Sequence, residues 1–190
     1  MSSNFPAEML REIPLFENLT IDEIEELLAV AEDREFPADE VILHEGGHDR
    51  ELYVIFDGEV EIVLPTPAFA ETLVVKVGAG GVFGESTFFH AGPHIATVRC
   101  LTPVLAVRLT RDRFQRLLDQ SSLAAYKLAA NAAGILAQRL QATDRWIENL
   151  VQEHQDAEVA ARWRDFHHRI AFGHSLADYG PIGTFVPGGS

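Results

Sequence analysis

The stretch from Phe83 to Val98 reads FGESTFFHAGPHIATV and contains the side chains best suited to hold a small anion. Gly84 allows close approach to the backbone, and Glu85 begins a short predicted helical turn. Free backbone N–H groups at the start of such a turn point toward a negative charge. The hydroxyls of Ser86 and Thr87 are candidate further donors to a phosphate. The stretch therefore predicts an anion-binding turn.

Short apolar segments surround this turn and must position it. From Glu40 onward they read EVILHEG, ELYVIFDG, EVEIVLP, ETLVVKVG, IATVRCL and PVLAVRL. Glycine and proline separate them, a pattern typical of a β-sandwich or jelly roll. Asp57 and Glu59 flank Gly58 in a predicted hairpin turn, and we interpret both as solvated turn residues rather than a catalytic pair.

Helical patterns precede the strands. Glu8 to Ile13 predicts a short helix that Pro14 stops. Thr20 and Glu23 form a predicted capping box, followed by apolar residues at helical spacing, so a second helix is expected to run to about Glu32.

Helical patterns also follow the strands. One helix is predicted to start at Thr110, and a long one to restart at Ser121-Ser122 and reach Arg169. Its apolar or small residues at spacings of three and four are Tyr126, Ala129, Ala133, Leu136, Leu140, Thr143, Ile147 and Leu150. Up to Gln138 two interpretations are equal: packing on the helix's own β-domain, or a dimer seam. Beyond Leu140 the apolar surface favours self-association.

Composition excludes several classes of protein. The chain has 15 basic and 29 acidic residues, a net charge of −14, which disfavours direct binding to nucleic acid. Apolar runs are of strand length, and the N-terminus lacks the pattern of a secretory signal. The single cysteine, Cys100, excludes an internal disulfide and fits a cytoplasmic location. It lies in an apolar strand, so a buried, inert thiol is expected.

Catalytic and metal-binding motifs do not emerge from the sequence. No Ser-His-acid phrase, phosphate-binding P-loop or metalloprotease motif occurs, so we predict that the chain is not an enzyme. His44 and His48 share a four-residue spacing, as do His90 and His94, but both pairs straddle turn-like sequence. A helical metal site is therefore not predicted.

Three ordered blocks resemble the cyclic nucleotide-binding domain family, which includes the bacterial catabolite activator group and kinase regulatory subunits. LREIPLFENLTIDEIEELL resembles its N-terminal helices, HEGGHDRELYVIFDGEVEIV its following strands, and GGVFGESTFFHAGPHIATV its phosphate-binding cassette. The resemblance covers about Leu10 to Val151. It implies an α+β fold: an antiparallel double-stranded β-helix (jelly roll) with N-terminal helices and a long C-terminal helix, which resembles the family's dimerising helix.

The resemblance also implies a ligand site. Glu85 would accept a hydrogen bond from a ribose hydroxyl. Independently of the resemblance, the apolar side chains of Phe88 and Phe89 are expected to anchor the turn in the core. The implied ligand-binding residues are Phe83, Gly84, Glu85, Ser86, Thr87, His94, Ile95, Ala96 and Thr97. The implied ligands are cAMP, cGMP or a cyclic dinucleotide.

His94 departs from the family pattern. The kinase-type cassette has its phosphate-binding arginine at this position, and the catabolite-activator spacing would place that arginine at Ile95 instead. Arg99 follows on a strand and need not face the pocket. Histidine lacks the permanent charge and bidentate fork of arginine. Three interpretations of His94 stay open: a surface loop histidine, a contact to phosphate, or a metal or cofactor role.

The predicted organisation is a helical lead-in at 1–38, a β-roll at 39–110, a C-terminal helical and dimerisation region at 111–170 and a flexible tail at 171–190. The residues after Val151 do not supply a helix-turn-helix, which the transcription-factor branch of the family carries. We therefore predict a homodimeric regulatory sensor or adaptor that passes ligand state to a protein partner, with no membrane contact. The alternative is an interaction domain that kept the fold and lost canonical ligand binding.

Overall fold

The computed structural model describes residues 5–66 and 69–154. Within these residues, helices precede and follow a set of eight strands, and one short helix lies between two of the strands. The helices are α1 (Ala7–Leu10), α2 (Ile21–Val30), α3 (Glu85–Phe89), α4 (Arg111–Asp119) and α5 (Leu123–His154), with a 3₁₀ turn at Pro14–Phe16. The strands are β1 (Glu32–Phe36), β2 (Val41–Leu43), β3 (Glu51–Asp57), β4 (Val60–Thr66), β5 (Phe69–Val77), β6 (Val82–Phe83), β7 (Thr97–Cys100) and β8 (Val104–Thr110).

The strands form two four-stranded antiparallel sheets. The first has the order β1-β8-β3-β6 and the second the order β2-β7-β4-β5. Apart from the consecutive pair β4 and β5, neighbouring strands are distant along the chain: Glu32 of β1 lies opposite Arg108 of β8, and Val60 of β4 opposite Cys100 of β7. This arrangement confirms the predicted α+β jelly roll with N-terminal helices and a long C-terminal helix.

Two strands escaped the sequence prediction. β1 lies within residues 1–38, so the prediction of a purely helical lead-in is wrong for Glu32–Phe36, and α2 ends at Val30 rather than near Glu32. The segment EDREF has no alternation of apolar and polar residues, so its sequence does not predict a strand. In the structure the side chain of Glu32 forms ion pairs with arginines instead of packing in an apolar core. β6 has only two residues and is too short to produce a pattern.

The turn at Gly58 is not the hairpin that the sequence predicted. β3 and β4 lie in different sheets, so Asp57-Gly58 carries the chain from one sheet to the other. Gly58 has φ of +90°, and a Cβ atom there would lie 2.2 Å from the carbonyl oxygen of Pro103. The glycine is required because that backbone packs against the turn.

Two hydrophobic cores lie on opposite faces of the first sheet. Leu52 and Val54 of β3 join the core formed with the helices, whereas Tyr53 and Ile55 join the core formed by residues of both sheets. This alternation follows from the two-residue period of a strand. Cys100 is fully buried in the second core, and burial raises the pKa of its thiol to about 11, as expected for an inert cysteine.

The predicted capping box is confirmed at the start of α2. The Glu23 N–H donates to Thr20 Oγ1 at 3.3 Å, and the Thr20 N–H donates to Glu23 Oε2 at 2.7 Å. Lys127 of α5 also pairs with Glu23 at 2.7 Å. Glu23 therefore both caps α2 and pairs with a lysine of α5.

At the N-terminus the predicted helix from Glu8 to Ile13 is instead α1 followed by the 3₁₀ turn at Pro14.

The start of α5 has two different faces. Ala124, Leu128 and Ala132 are buried in the helical core, whereas Leu123 and Tyr126 are exposed. The chain divides into two compact units, the first ending at Leu136 and the second beginning at Ala137. The predictions for the tail at 171–190 and for a helix reaching Arg169 lie outside the described residues. Across the described ranges, none of the helices has the length and apolar character needed to cross a bilayer.

Candidate functional site

The cassette is built on a close backbone contact at Gly84. This residue precedes α3 with φ of +82°, a conformation that L side chains rarely adopt. A Cβ atom on Gly84 would lie 2.2 Å from the carbonyl oxygen of Glu51 in β3. Glycine therefore lets the β6–α3 corner lie directly against the neighbouring strand, next to the buried ring of Phe83.

Helix α3 presents different residues to two parts of the molecule. Thr87 is buried toward the loop that contains His94, and its hydroxyl lies 3.1 Å from His94 Nδ1. Phe88 is fully buried in the helical core, with its ring centroid 5.2 Å from that of Phe114 in α4. Phe89 also packs against this core. The structure thus confirms the predicted anchoring by Phe88 and Phe89.

His94 is buried, with 6% of its surface exposed, so the surface-loop interpretation is wrong. The Gly46-Gly47 turn encloses it: the His94 N–H donates to Gly47 O at 2.7 Å, and the Gly46 N–H donates to His94 O at 2.8 Å. A Cβ atom at Gly47 would lie 3.2 Å from His94 Cδ2. The absence of a side chain at Gly47 therefore lets the turn cover the imidazole.

The imidazole has one engaged and one unengaged nitrogen. Nδ1 contacts Thr87 Oγ1, whereas Nε2 is buried and has no hydrogen-bond partner within the described part of the chain. Burial lowers the pKa of His94 from the ordinary value of 6.5; Asp49 and Glu51 oppose this shift, and His48 adds to it. Near pH 7 the side chain at the cassette's expected cation position is therefore neutral.

The remaining cassette residues have diverse environments. Glu85 is partly buried and Ser86 exposed at the start of α3, and Ala96 is partly buried. Ile95 is 72% exposed. Thr97 of β7 accepts a hydrogen bond from the Glu45 N–H at 3.1 Å.

Arg99 follows the cassette on β7 and is committed elsewhere. Its Nε lies 3.0 Å from a carboxylate oxygen of Glu61 on β4. This ion pair agrees with the expectation from the sequence that Arg99 does not have to face the pocket.

A polar network on the roll side of the first sheet was missed by the sequence analysis. The Tyr53 hydroxyl donates to Glu51 Oε2 at 2.5 Å, and Arg108 donates to Glu51 at 2.9 Å and to Glu32 at 2.5 Å. Arg113 of α4 also bonds Glu32. The hydrogen bond from Arg108 holds the pKa of the Glu32 carboxyl below its usual value, and burial raises the pKa of Tyr53. The strand register brings Glu32, Tyr53 and Arg108 together, and α4 adds Arg113.

A second set of contacts connects α3 with α4. Arg50 donates to the backbone oxygens of Thr87 and Phe88, at 3.1 and 3.0 Å. The Arg111 N–H in turn donates to Arg50 O at 2.9 Å, and the Arg111 guanidinium lies 5.4 Å from the centroid of Phe114 and 5.9 Å from that of Phe88. The carboxyl end of the cassette helix is therefore fastened to the first residue of α4.

The residues of the predicted dimer seam differ in exposure. Tyr126, Ala133, Leu140 and Thr143 are exposed, and Ala129, Leu136 and Ile147 are partly buried; Leu150 also belongs to α5. As for metals, no group of three or more histidine, cysteine or acidic residues within 5–66 and 69–154 could hold an ion.

Comparison with known proteins identifies the family. Residues 33–121 match the model of the cyclic nucleotide-binding domain. The CRP-like cAMP-activated global transcriptional regulator of Mycobacterium tuberculosis is 27% identical over 144 residues, which are 76% of this chain and 62% of the regulator. The cAMP-dependent protein kinase regulatory subunit of Mycosarcoma maydis is 30% identical over 136 residues, or 72% of this chain and 25% of the subunit. The chain therefore spans less than two thirds of either relative.

A solved structure supports the same assignment. The cyclic nucleotide-binding domain from Methylobacillus flagellatus superposes with a TM-score of 0.65 and 26% identity, covering 72% of this chain and 76% of that domain. The chain thus belongs, through its β-roll, to the cyclic nucleotide-binding domain family, as the ordered blocks indicated. Both curated relatives are regulatory proteins by name.

Proposed function

We propose that this chain is a regulatory module that holds a small ligand at the cassette and passes its ligand state to a partner protein. The position of α3 carries the proposal: Thr87 contacts His94 in the cassette, while Phe88 packs on Phe114 of α4. One short helix thus contacts both the candidate ligand site and α4, the first of the C-terminal helices.

Transmission would proceed through contacts at both ends of α3. A ligand that moves Thr87 also moves the carbonyl oxygens that Arg50 holds, and Arg50 O accepts from the Arg111 N–H at the start of α4. Since Phe88 and Phe114 are both fully buried, a shift of α3 cannot leave α4 unchanged. The ligand state would therefore change the position of α4.

The assembly we propose is a homodimer through α5. Leu123, Tyr126 and Leu140 are large apolar residues that are more than half exposed on this helix. Exposed apolar side chains recurring along one helix favour burial against a second helix. The net charge of −14 disfavours DNA as the direct partner, so a protein partner is the better match.

Titration calorimetry combined with hydrogen exchange tests ligand sensing. The ligands are cAMP, cGMP, a cyclic dinucleotide, adenosine and guanosine, at pH 6 and pH 8. We expect heat with at least one ligand, and altered exchange in α3 and α4 at saturation. Arg50→Gln should bind but show a smaller change in α4, because only the Phe88–Phe114 contact remains, whereas the exposed Arg116→Gln should behave as wild type. Absence of heat with every ligand would contradict the sensor proposal.

Light scattering tests the assembly. The wild-type chain is expected to have twice the mass of one chain, and Leu140→Glu combined with Ile147→Lys should yield monomers. Gln141→Glu places a charge on an exposed neighbour and should leave the dimer intact. A monomeric wild type would exclude the homodimer.

A second candidate function is an interaction domain that no longer binds a ligand. The burial of neutral His94 under the Gly46-Gly47 turn favours it, because the turn fills space beside the cassette. This candidate predicts that His94→Arg and Glu85→Ala leave partner binding unchanged, and that the charges at Leu140 and Ile147 still disrupt assembly.

A further inference from the structure

Two neighbouring arginines at the junction of α3 and α4 form no ion pair within residues 5–66 and 69–154. In this part of the chain the Arg50 side chain donates only to the backbone oxygens of Thr87 and Phe88, at 3.1 and 3.0 Å. The Arg111 guanidinium likewise donates only to Gln115 Oε1, at 2.8 Å. A guanidinium has five N–H donors, so both side chains keep donors that no group of the described chain accepts.

This lack of carboxylates contrasts with the rest of the roll. The chain has 29 acidic and only 15 basic residues. Arg99 of β7 and Arg108 of β8 both form ion pairs with glutamates of neighbouring strands. Arg50 and Arg111 are partly buried, so water compensates their charges less fully than it would at an exposed position. They therefore lack the counter-charge that Arg99 and Arg108 have.

The position of Arg111 is unfavourable for a cation. It is the first residue of α4, where the helix dipole presents its positive end. Burial and the neighbouring charge of Arg50 lower the pKa of Arg111. Asp112, the next residue, is exposed and forms no ion pair or hydrogen bond with either arginine among the described residues. A carboxylate placed between the two guanidinium groups would therefore relieve a repulsion.

Aromatic rings hold one of these cations in place. The Arg111 guanidinium lies 5.9 Å from the centroid of Phe88 and 5.4 Å from that of Phe114, and both rings are fully buried. Phe89 contacts Phe114 edge to face but is only partly buried. The oxygens of α3 hold Arg50 in turn. The two guanidinium groups are thus preorganised for a carboxylate, which accepts from two donors at once, and Phe89 adds an apolar contact beside them.

We propose that Arg50 and Arg111 form a docking point for a partner protein, which inserts a carboxylate between the two guanidinium groups and places an apolar side chain next to Phe89. The inference rests on the proposed function and specifies the chemistry of the partner. The docking point lies where the ligand signal would arrive, since Arg50 holds oxygens of α3 and Arg111 begins α4. Movement of α3 relative to α4 would separate the guanidinium groups and change the affinity for the partner.

Nuclear magnetic resonance with two matched peptides tests the docking point. The probes are acetyl-Ala-Leu-Glu-Leu-Ala-amide and the same peptide with glutamine in place of glutamate, at low ionic strength. We expect the glutamate peptide to shift the side-chain Nε–H signals of Arg50 and Arg111 and to bind about tenfold or more tightly than the glutamine peptide. Equal binding of the two peptides, or no shift at these two arginines, would overturn the inference.

Three variants separate this pair from positive charge in general. Arg111→Gln should weaken the glutamate peptide about tenfold or more, whereas Arg116→Gln removes an exposed charge from the same helix and should match the wild type. Arg111→Glu should prefer a peptide with lysine in place of glutamate, because the charge is reversed. Thermal melting establishes that the variants fold. Unchanged affinity in a folded Arg111→Gln protein would contradict the inference.

Two further measurements identify the occupant. Inorganic phosphate should bind the pair more weakly than the glutamate peptide, since it offers nothing to Phe89. Equal or tighter binding would make the pair a site for small anions and overturn the docking proposal. Light scattering should give the same mass for Arg111→Glu as for the wild type. A fall to the mass of one chain would identify the occupant as a second copy of this chain and exclude a different partner.

The peptide titration fails independently of ligand sensing, because it needs no nucleotide. Peptide binding at Arg50 and Arg111 without heat from any cassette ligand would overturn the sensor function and leave the docking point standing. Heat from a cassette ligand without peptide binding would overturn the docking point alone.

Discussion

The two faces of the first sheet carry different kinds of interaction. On one face Leu52 and Val54 of β3 pack into an apolar core with the helices. On the other face Tyr53 stacks on Phe83 with centroids 4.9 Å apart, and its hydroxyl joins the network with Glu51 and Arg108. We call the first the helix face and the second the roll face. A single strand thus contributes to both through the alternation of its side chains.

The difference between the faces indicates how stability and specificity are divided. Contacts on the helix face are apolar and nondirectional, so their energy grows with buried area. The roll face also has an apolar core, but it adds hydrogen bonds and ion pairs, which depend on direction and on protonation. Substitutions on the helix face should mainly change the free energy of unfolding, whereas those on the roll face should also change its pH dependence.

The largest expected effect is on the helix face. Phe114→Ala removes a fully buried ring that packs against Phe88 and Phe89, and should lower the free energy of unfolding by about 3–5 kcal/mol. Urea denaturation followed by circular dichroism measures the loss. Arg116→Ala, on an exposed position of the same helix, should change it by less than about 0.5 kcal/mol. A small effect for Phe114→Ala would contradict the assignment of stability to the helix face.

Gly84→Ala should have the next largest effect, because it combines backbone strain with a steric clash. The φ of +82° disfavours alanine, and the new Cβ would lie 2.2 Å from Glu51 O. We expect a loss of about 2–3 kcal/mol by urea denaturation. Gly46→Ala is the matched control: its φ is +75°, but a Cβ there meets nothing within 4 Å, so only the strain of about 1 kcal/mol applies. Equal losses would exclude a tight β3–cassette contact.

Glu32→Gln tests the ion pairs of the roll face. Arg108 and Arg113 lower the pKa of Glu32 in the folded protein below the value of 4.5 expected in the unfolded chain. The ionised carboxylate therefore stabilises the fold fully above pH 4.5, and this contribution is lost as the pH falls through the lower folded pKa. The variant should lose about 1–2 kcal/mol at pH 7 and less at pH 3. Urea denaturation at both pH values measures the difference. Glu35→Gln, exposed on β1, should follow the wild type, and a pH-independent loss for Glu32→Gln would refute the electrostatic assignment.

The smallest expected effect concerns the protonation of His94. Its folded pKa lies below the ordinary 6.5, so the unfolded chain binds a proton more readily and stability should decrease as pH falls from about 6.5 toward the folded pKa. The groups that oppose this shift are Asp49 and Glu51. His94→Gln should show a smaller decrease between pH 7.5 and pH 5.5 in thermal melts, while His90→Gln should match the wild type. A steeper decrease in His94→Gln would reverse the inferred sign.

Local patterns in the sequence predicted much of the architecture. The capping box of Thr20 and Glu23 depends on residues three positions apart, and the apolar runs that became β3, β4 and β8 depend on immediate neighbours. Such signals survive in any tertiary context that buries one side of the element. The ordered blocks around Gly84 also identified the family, and the type of residue at His94 revealed a departure from its usual charge.

Long-range contacts decided the rest. Arg108 meets Glu51 and Glu32 across 57 and 76 positions, and these pairings turned the charged segment Glu32–Phe36 into a strand that apolar periodicity does not reveal. His94 is buried because the Gly46-Gly47 turn, distant in the chain, lies against it. The sequence by itself determined most of the elements, with the exception of β1 and β6, and that a histidine occupies the cassette. Only the tertiary structure decided that this histidine is enclosed, neutral and bonded to Thr87, because burial and hydrogen bonding depend on segments that sequence neighbours do not specify.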